Sequence, residues 1–193
     1  GRVLSARLRN ATPGPDWDSW FWRAACSGGV AAQIGVHGVD LLRELVAPVA
    51  TVSAEAAIRI PERRLRDGTH TTAEVPDHVA AAYRLSNGTV ATHEISWADP
   101  GTTDRYALEL HGERGSLVLR GPRGPLSLFR DGAWSAVPVP EEAPGQRQHA
   151  IFLDVAAGRR PPTGSAGDAL HAQRVIAAIA ESAAGGRRVT VPS

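Results

Sequence analysis

The most informative stretch of this chain is Gly28–Leu42, which reads GGVAAQIGVHGVDLL. With the residues that follow, it predicts a helix over Val30–Val46, because apolar side chains recur there at helical spacing. These apolar residues are Val30, Ile34, Leu41, Leu42 and Leu45. Ser27 is a typical helix cap, since its hydroxyl can accept a backbone N–H, and Pro48 limits the helix at its other end.

The same helix carries a polar stripe. Gln33, His37, Asp40 and Glu44 recur at helical spacing and therefore share one face. Histidine can donate, accept or transfer a proton near neutral pH, and the small residues around it let a ligand or another backbone approach. The stripe is a candidate site; the alternative is the exposed polar face of an ordinary amphipathic helix.

A dense aromatic cluster precedes the helix. It consists of Trp17, Trp20, Phe21 and Trp22, which follow a loop rich in Pro, Gly and Asp. Such a cluster can pack in the core or wall a substrate site. Both interpretations remain open at this point.

Strands are predicted on both sides of the helix. Arg2–Arg9 alternates as a strand does, and Val49–Ile60 forms another, followed by a charged loop through His70. Three hairpins come next, formed by Asp77–Leu85 with Val90–Trp97, Tyr106–His111 with Ser116–Arg120, and Pro125–Arg130 with Ala133–Val139. Asn87-Gly88 is a strong hairpin signal.

The chain closes with two helices and a short strand. The helices are Gln146–Ala157 and one that opens at a capping box, Ser165–Asp168, and ends at Gly185-Gly186; the strand is Arg187–Val191. Runs of strands followed by helices predict an α+β fold. We therefore expect one domain over residues 1–193, with an open, largely antiparallel mixed sheet and helices packed on one face.

Both faces of the first hairpin carry apolar residues. Val79, Ala81, Tyr83 and Leu85 form one set, and Ala80, Ala82, Ile95 and Trp97 are assigned to the other face. A sheet with one solvated face shows cleaner polar alternation. We therefore expect the second face to be covered by another subunit in a homo-oligomer.

Composition excludes several classes of protein. The net charge is +1, and the cationic residues are spread along the chain, so no nucleic-acid partner is expected. The Arg63-Arg64 doublet is interpreted as solvated surface. No stretch approaches a membrane span. Cys26 is the one cysteine, which suits a reducing cytoplasm and favours a buried, inert thiol.

Motifs for metals and nucleotides are missing. His37 and Asp40 could chelate an ion, but a structural zinc site needs about four ligands, so we expect no metal. The chain contains neither the Gly-x-Gly-x-x-Gly fingerprint nor the phosphate-binding Gly-x-x-x-x-Gly-Lys pattern. It also contains no lysine, which removes one type of acid, base or nucleophile.

Several landmarks, in order, resemble one family. Gly28–Leu42 is similar to the pattern Gly-Gly-x-Leu-x-Asp-x-Gly-x-His-x-x-Asp-Leu of the glucose-fructose oxidoreductase/inositol dehydrogenase (Gfo/Idh/MocA) family. His111–Leu117 resembles its Gly-x-x-Gly-x-Leu turn, and Phe152–Asp154 and Asp168–Leu170 resemble its last two helices. The resemblance covers nearly the whole chain and identifies it as the family's C-terminal domain.

The resemblance implies a two-domain, NAD(P)-dependent oxidoreductase of sugars, polyols or related compounds. An N-terminal Rossmann domain, absent from this chain, would bind NAD or NADP and supply a catalytic lysine. The C-terminal domain would provide an open sheet like that of dihydrodipicolinate reductase, through which such proteins commonly associate. We therefore expect no cofactor-binding residues here and no activity from the chain alone.

The resemblance also suggests site residues. His37 matches the pattern's histidine and Asp40 its second aspartate, but Gln33 stands where the family commonly has aspartate. Glutamine can hydrogen-bond a hydroxyl but cannot take its proton. We expect His37 and Gln33 to be catalytic, and Trp20, Trp22, Arg23 and Asp40 to bind substrate.

Three functions remain open at this stage. The leading one is hydride transfer by a longer enzyme. The second is a non-catalytic, sugar- or nucleotide-sensing regulator, which Gln33 favours slightly. The third is a free-standing interaction module.

Overall fold

The computed structural model describes residues 1–101, 105–121, 124–139, 143–162 and 164–192. The strands are β1 Val3–Ala11, β2 Val49–Ala57, β3 Glu62–Arg64, β4 His70–Thr72, β5 His78–Leu85, β6 Val90–Ser96, β7 Tyr106–Gly112, β8 Gly115–Arg120, β9 Leu126–Arg130, β10 Ala133–Val137 and β11 Val189–Thr190. The helices are α1 Val36–Leu45, α2 Pro144–Ala156 and α3 Ala166–Gly185, with a 3₁₀ turn at Ser19–Trp22 and a π-helical turn at Ala31–Gly35.

Nine strands form one open sheet in the order β10-β9-β8-β7-β1-β6-β5-β2-β11. Every neighbouring pair is antiparallel except β1 and β6, which run parallel. Helices α1 and α3 pack on one face and bury the core. The predicted α+β class, with a largely antiparallel mixed sheet, is therefore confirmed.

The predicted hairpins form at the expected turns. Gly88 adopts a positive φ of 88° between β5 and β6. Between β9 and β10, Asp131 and Gly132 have φ values of 52° and 81°, as a two-residue hairpin turn requires. The capping box also forms, because the Ser165 hydroxyl accepts from the Asp168 N–H and the Asp168 carboxylate accepts from the Ser165 N–H.

The charged loop predicted after Val49–Ile60 and through His70 contains structure that the sequence did not indicate. Strands β3 and β4 pair there as a separate two-stranded sheet. Each has only three residues, too few to show alternation.

The parallel pairing of β1 with β6 explains the long excursion between them. Parallel neighbours cannot be joined by a tight turn and need a crossover. Here the crossover carries the aromatic cluster, the helix and strands β2 to β5 before the chain returns as β6.

The predicted helix over Val30–Val46 is present but not uniform. It passes through the π-helical turn Ala31–Gly35, where the Val36 N–H bonds to the Ala31 carbonyl, and continues as α-helix from Val36. The Ser27 hydroxyl accepts from the Gly29 N–H at 3.1 Å, as expected of a cap.

The helix approaches the sheet unusually closely through two glycines. A Cβ added to Gly35 would lie 2.7 Å from Ile95 Cδ1, and one added to Gly38 would lie 2.6 Å from His93 Nε2. These distances are shorter than a methyl group can tolerate. The small residues of this helix were expected to let a ligand or another backbone approach. Gly35 and Gly38 instead let the helix pack closely on the sheet of the same chain.

The prediction that Ile95 and Trp97 lie on the second face of the sheet is wrong. Val79 pairs with Ile95, so the two side chains share the core face, and Ile95 and Trp97 are buried. Directly paired residues point to the same side of a sheet. The open face instead carries the small side chains Ala80 and Ala82, both exposed, among charged residues.

Among the residues that the structure describes, no helix is both long and apolar enough to cross a membrane.

Substituting Gly38 by alanine tests the close approach. We expect Gly38→Ala to lower the free energy of unfolding by about 1–3 kcal/mol, because the new methyl group would overlap the His93 ring. Urea unfolding measures the change. The matched control is Gly167→Ala in α3, where the nearest atom would lie at 3.5 Å, and this variant should be neutral or slightly stabilising. Equal effects in the two variants would contradict the prediction.

Candidate functional site

Strand β6 places the helix and the aromatic cluster side by side. His93 and Ile95 project from its core face at two-residue spacing, and Trp97 follows them on the same side. His93 lies against Gly38, Ile95 against Gly35, and the Trp97 ring against that of Trp22 at 5.2 Å. Because alternate strand residues are about 7 Å apart, the aromatic cluster neighbours the beginning of the helix.

Gln33 and His37 lie on the accessible side of this helix. Gly35, Gly38 and Val39 face the sheet and are buried, whereas His37 is exposed and Gln33 partly exposed. The structure therefore leaves both polar side chains free to meet a ligand.

Asp40 has a protein partner. Its carboxylate accepts from the Arg43 guanidinium at 3.1 Å, and Arg43 also binds Glu44 and, at 3.1 Å, Asp168 of α3. Arg43 thus ties the helix of His37 to the capping box of α3. The pKa of Asp168 is lowered by hydrogen bonds from Ser165 and by the charge of Arg43.

Three aromatic rings form a partly exposed surface, here called the aromatic platform: Trp17, Trp20 and Phe21. Phe21 stacks on Trp20 with ring centroids 3.9 Å apart and meets Trp17 edge-on at 5.2 Å. Trp17 is 62% exposed. Asp18 caps the 3₁₀ turn by accepting from the Trp20 N–H, which fixes the rings relative to one another.

Trp22 does not belong to this surface. It is 1% exposed, its indole N–H donates to the Pro15 carbonyl at 3.2 Å, and the Arg63 guanidinium lies 4.2 Å from its ring. The prediction that Trp22 contacts substrate is therefore corrected: the bulky ring fills the core beneath the platform, where burial is most favourable.

Arg63 and Asp77 form a buried ion pair that anchors the platform. Arg63 also donates to the carbonyls of Pro13 and Trp97, at 3.1 and 3.0 Å. Asp77 is fully buried and accepts from the N–H groups of Arg59 and Ile60. The interpretation of Arg63 as solvated surface is wrong, because the pair and its hydrogen bonds compensate the cost of burying both charges.

The segment between the platform and the helix is open to solvent. Arg23 is exposed, so its guanidinium is accessible to a ligand. Cys26 is also exposed, which corrects the expectation of a buried thiol.

Comparison with known proteins identifies the family of this chain. The family model for the GFO/IDH/MocA C-terminal domain matches residues 1–118, more than half of the 193 residues. The chain belongs to this family. Levoglucosan dehydrogenase from Pseudarthrobacter phenanthrenivorans is 27% identical, with the match covering 100% of this chain and 60% of that protein.

Solved structures of other proteins share the fold of this chain. Levoglucosan dehydrogenase in complex with NADH and levoglucosan superimposes with a TM-score of 0.86 at 26% identity, over 100% of this chain and 60% of that one. The super-repressor mutant of Gal80p from Saccharomyces cerevisiae matches at 0.82 and 17% identity, over 99% and 58%, which shows the shared fold alone. This chain thus spans about 60% of the relatives' length.

The N–H groups at the start of the helix that carries Gln33 and His37 are already used within the chain. A pyrophosphate is usually bound by free N–H groups at a helix N-terminus. Here the Gly29 N–H donates to Ser27 and the Val30 N–H to the Pro76 carbonyl at 3.1 Å. A Cβ on Gly29 would lie 2.8 Å from that carbonyl, so this glycine serves the loop contact and not a phosphate.

Metal ligands are not assembled either. Within the described ranges, no three His, Cys, Asp or Glu residues come together to hold an ion.

A buried histidine lies directly beneath the candidate site. His93 Nδ1 lies 3.1 Å from the Tyr83 hydroxyl, and Nε2 has no hydrogen-bond partner among the described residues. Burial lowers the pKa of His93 to about 3 and raises the pKa of Tyr83. His93 is therefore neutral at physiological pH and supports the helix by packing.

Sequence reasoning missed Arg63, Asp77 and His93. Arg63 and Asp77 are 14 positions apart and meet only in three dimensions, and His93 follows no motif. The one available signal was the alternation of β6, which places His93 on the same side as Ile95.

The pH dependence of stability tests the burial of His93. In the unfolded chain a histidine has a pKa near 6.5, so below that pH the unfolded state binds a proton that the folded state refuses. The contribution of neutral His93 to the free energy of unfolding is fully present above about pH 6.5 and is lost progressively as the pH drops toward 3. Between pH 7 and pH 5 we expect His93 to account for a loss of about 2 kcal/mol, measured by urea unfolding.

The variant His93→Gln removes this titration and retains a partner for Tyr83. His171, whose pKa burial also lowers, adds a slope of the same sign in both proteins. If the free energy of unfolding of His93→Gln falls between pH 7 and pH 5 by as much as that of the unsubstituted protein, the assignment to His93 is refuted.

Proposed function

We propose that this chain is the substrate-binding domain of an NAD(P)-dependent oxidoreductase that transfers hydride to or from a sugar, polyol or related hydroxy compound. It acts as part of a longer protein, whose other domain carries the nicotinamide cofactor. By itself the chain is inactive, because in this proposal the nicotinamide cofactor is held by the other domain.

One observation carries the proposal. His37 and Gln33 are accessible and lie on a helix that packs on β6 through Gly35 and Gly38, and the aromatic platform reaches the end of the same strand through the Phe21–Trp97 ring contact. Polar groups beside exposed aromatic rings suit a cyclic polyol, whose hydroxyls need hydrogen bonds and whose C–H face packs on rings.

The chemistry divides between the two polar residues. When a carbinol is oxidised, its C–H hydride leaves for the nicotinamide and its O–H proton needs an acceptor. His37 takes that proton at an imidazole nitrogen, or returns it in the reverse direction. Gln33 donates to or accepts from a hydroxyl and holds the substrate, since an amide has no proton to exchange.

The remaining residues bind substrate directly or support those that do. Trp20 and Arg23 are accessible and contact substrate, whereas the buried Trp22 supports the platform. Asp40 is paired with Arg43 through Oδ1 and its side chain is 56% exposed, so its carboxylate can also accept from a substrate hydroxyl. The NADH and levoglucosan complexes of the similar dehydrogenase support a nicotinamide cofactor and a sugar-like ligand.

A second candidate is a non-catalytic member that senses a sugar or nucleotide. Gln33 favours it, because it replaces the aspartate expected at that position and cannot act as a base. In that case His37 and Gln33 bind ligand without turnover.

We further propose that the protein is cytoplasmic and associates through the open face of the sheet. That face is a shallow depression of about 660 Å³ floored by Ala80 and Ala82. Several of its charges are paired within the chain, as in Arg7–Glu109 at 3.5 Å and Arg9–Glu94 at 3.2 Å. Small side chains let a second copy approach closely, and pairing within the chain lowers the cost of burying these charges.

The enzyme proposal is tested in a protein that joins this chain to the region encoded upstream of it. NADH or NADPH formation is followed with sugars and polyols, levoglucosan first. We expect His37→Ala to lower kcat by roughly 10²–10⁴-fold with little change in melting temperature, because a proton acceptor is lost from the surface. The control is His149→Ala, which removes an exposed histidine of α2 and should leave kcat unchanged.

The outcomes separate the candidates. Turnover that depends on His37 supports the enzyme. Saturable sugar binding by calorimetry, with no turnover for any substrate, supports the sensor. An equal loss of stability and kcat in His37→Ala would make His37 a structural residue.

Fluorine NMR of 5-fluorotryptophan-labelled chain tests the aromatic platform. On titration with levoglucosan we expect the resonances of Trp17 and Trp20 to shift, and Trp17→Ala to weaken binding about tenfold. Trp134→Ala is the matched control, because Trp134 is 59% exposed but lies on β10. Shifts confined to Trp134, or none at all, would place the sugar elsewhere.

A further inference from the structure

The turn that carries Gln33 has an uncommon geometry. Residues Ala31–Gly35 are π-helical, and the Val36 N–H reaches back five positions to the Ala31 carbonyl. Single π-helical turns are rare, weaker than α-helix, and frequent at functional sites. The wider turn sets how Gln33 is oriented relative to α1, which carries His37. Contacts with the rest of the chain must therefore stabilise this turn relative to an α-helical one.

One side chain of the sheet contacts the turn by a hydrogen bond. The Asn10 side-chain amide, near the end of β1, donates to the Ile34 carbonyl at 3.2 Å. A carbonyl can only accept, so the NH₂ group of Asn10 must face it. The contact joins residues 24 positions apart and is partly buried.

A second side chain of the sheet packs against the next residue of the turn. Asn10 pairs with Ile95 across the parallel strands β1 and β6, so the two side chains stand next to each other on the core face. Ile95 packs against Gly35, which follows Ile34. Two neighbouring sheet residues thus hold two consecutive residues of the turn, one by a hydrogen bond and one by packing.

We propose that Asn10 is a positioning residue of the candidate site. By holding the Ile34 carbonyl it stabilises the π-helical turn and thereby fixes the orientation of Gln33 relative to His37. The structural part of this inference stands alone, and its consequence for substrate rests on the proposed function. Without the Asn10 donor, the Ile34 carbonyl loses this hydrogen bond, and the π-helical turn loses a contact that ties it to β1.

Two variants of Asn10 separate positioning from stability. Asn10→Asp keeps the side-chain shape but cannot donate from its carboxylate, and Asn10→Leu replaces the amide by an apolar group. The matched control is Thr89→Val, which removes the hydrogen bond from the Thr89 hydroxyl to the Val3 carbonyl, 2.8 Å long, at the opposite end of β1. All three lose a side-chain bond that fastens β1.

Amide hydrogen exchange of the isolated chain gives the first readout. We expect faster exchange for residues 31–38 in both Asn10 variants but not in Thr89→Val, compared at equal global stability. Unchanged exchange of this segment in Asn10→Asp and Asn10→Leu would overturn the inference.

Steady-state kinetics of the longer protein give the second readout. We expect Asn10→Asp and Asn10→Leu to lower kcat/KM about tenfold or more, since small misplacements of site groups are costly, while Thr89→Val leaves it unchanged. An unaltered kcat/KM in both Asn10 variants would refute positioning. If the unmodified protein turns over no substrate, the proposed function fails, and hydrogen exchange alone decides the role of Asn10.

Discussion

The close approach of one helix to one strand determines the arrangement of the candidate site. Gly35 and Gly38 have no Cβ, and the side chains of Ile95 and His93 fill that space. Any larger residue would lift the helix from the sheet, and His37 and Gln33 would move with it. Since Trp97, on the same side of the sheet, meets Phe21 edge-on at 6.3 Å, the aromatic platform also contacts this row. One row of side chains therefore contacts both the helix of His37 and Gln33 and the aromatic cluster.

Buried polar groups hold the surrounding loops to this row. Arg63 and Asp77 gather the chain around Pro13, Ile60 and Trp97 by hydrogen bonds, and the Arg63 guanidinium covers Trp22. Removing Arg63 or Asp77 would leave the charge of the other residue buried without compensation. This destabilises the fold far more than the loss of a surface ion pair does. This favours a rigid platform, as a preformed ligand surface requires.

The open face of the sheet has a different character from the core face. It carries alanines and ion pairs, whereas the core face carries the large apolar side chains beneath α1 and α3. The apolar residues that first suggested a subunit interface, Ile95 and Trp97, belong to the core. Association through this face buries small side chains and charges, several of them paired within the chain, and such burial drives association less strongly than burial of large apolar side chains.

The sequence by itself determined the fold class, the hairpins, the capping box and the polar stripe of His37 and Gln33. These features depend on local periodicity and turn chemistry, which act within a few residues. Only the tertiary structure decided that Trp22 and Arg63 are buried and that Cys26 is exposed, because burial depends on which distant segments meet. The same holds for the π-helical turn, whose Ile34 carbonyl is bound by Asn10 across 24 positions. Such contacts leave no periodic signal in the chain, since each is made once, between residues that only the completed sheet brings together.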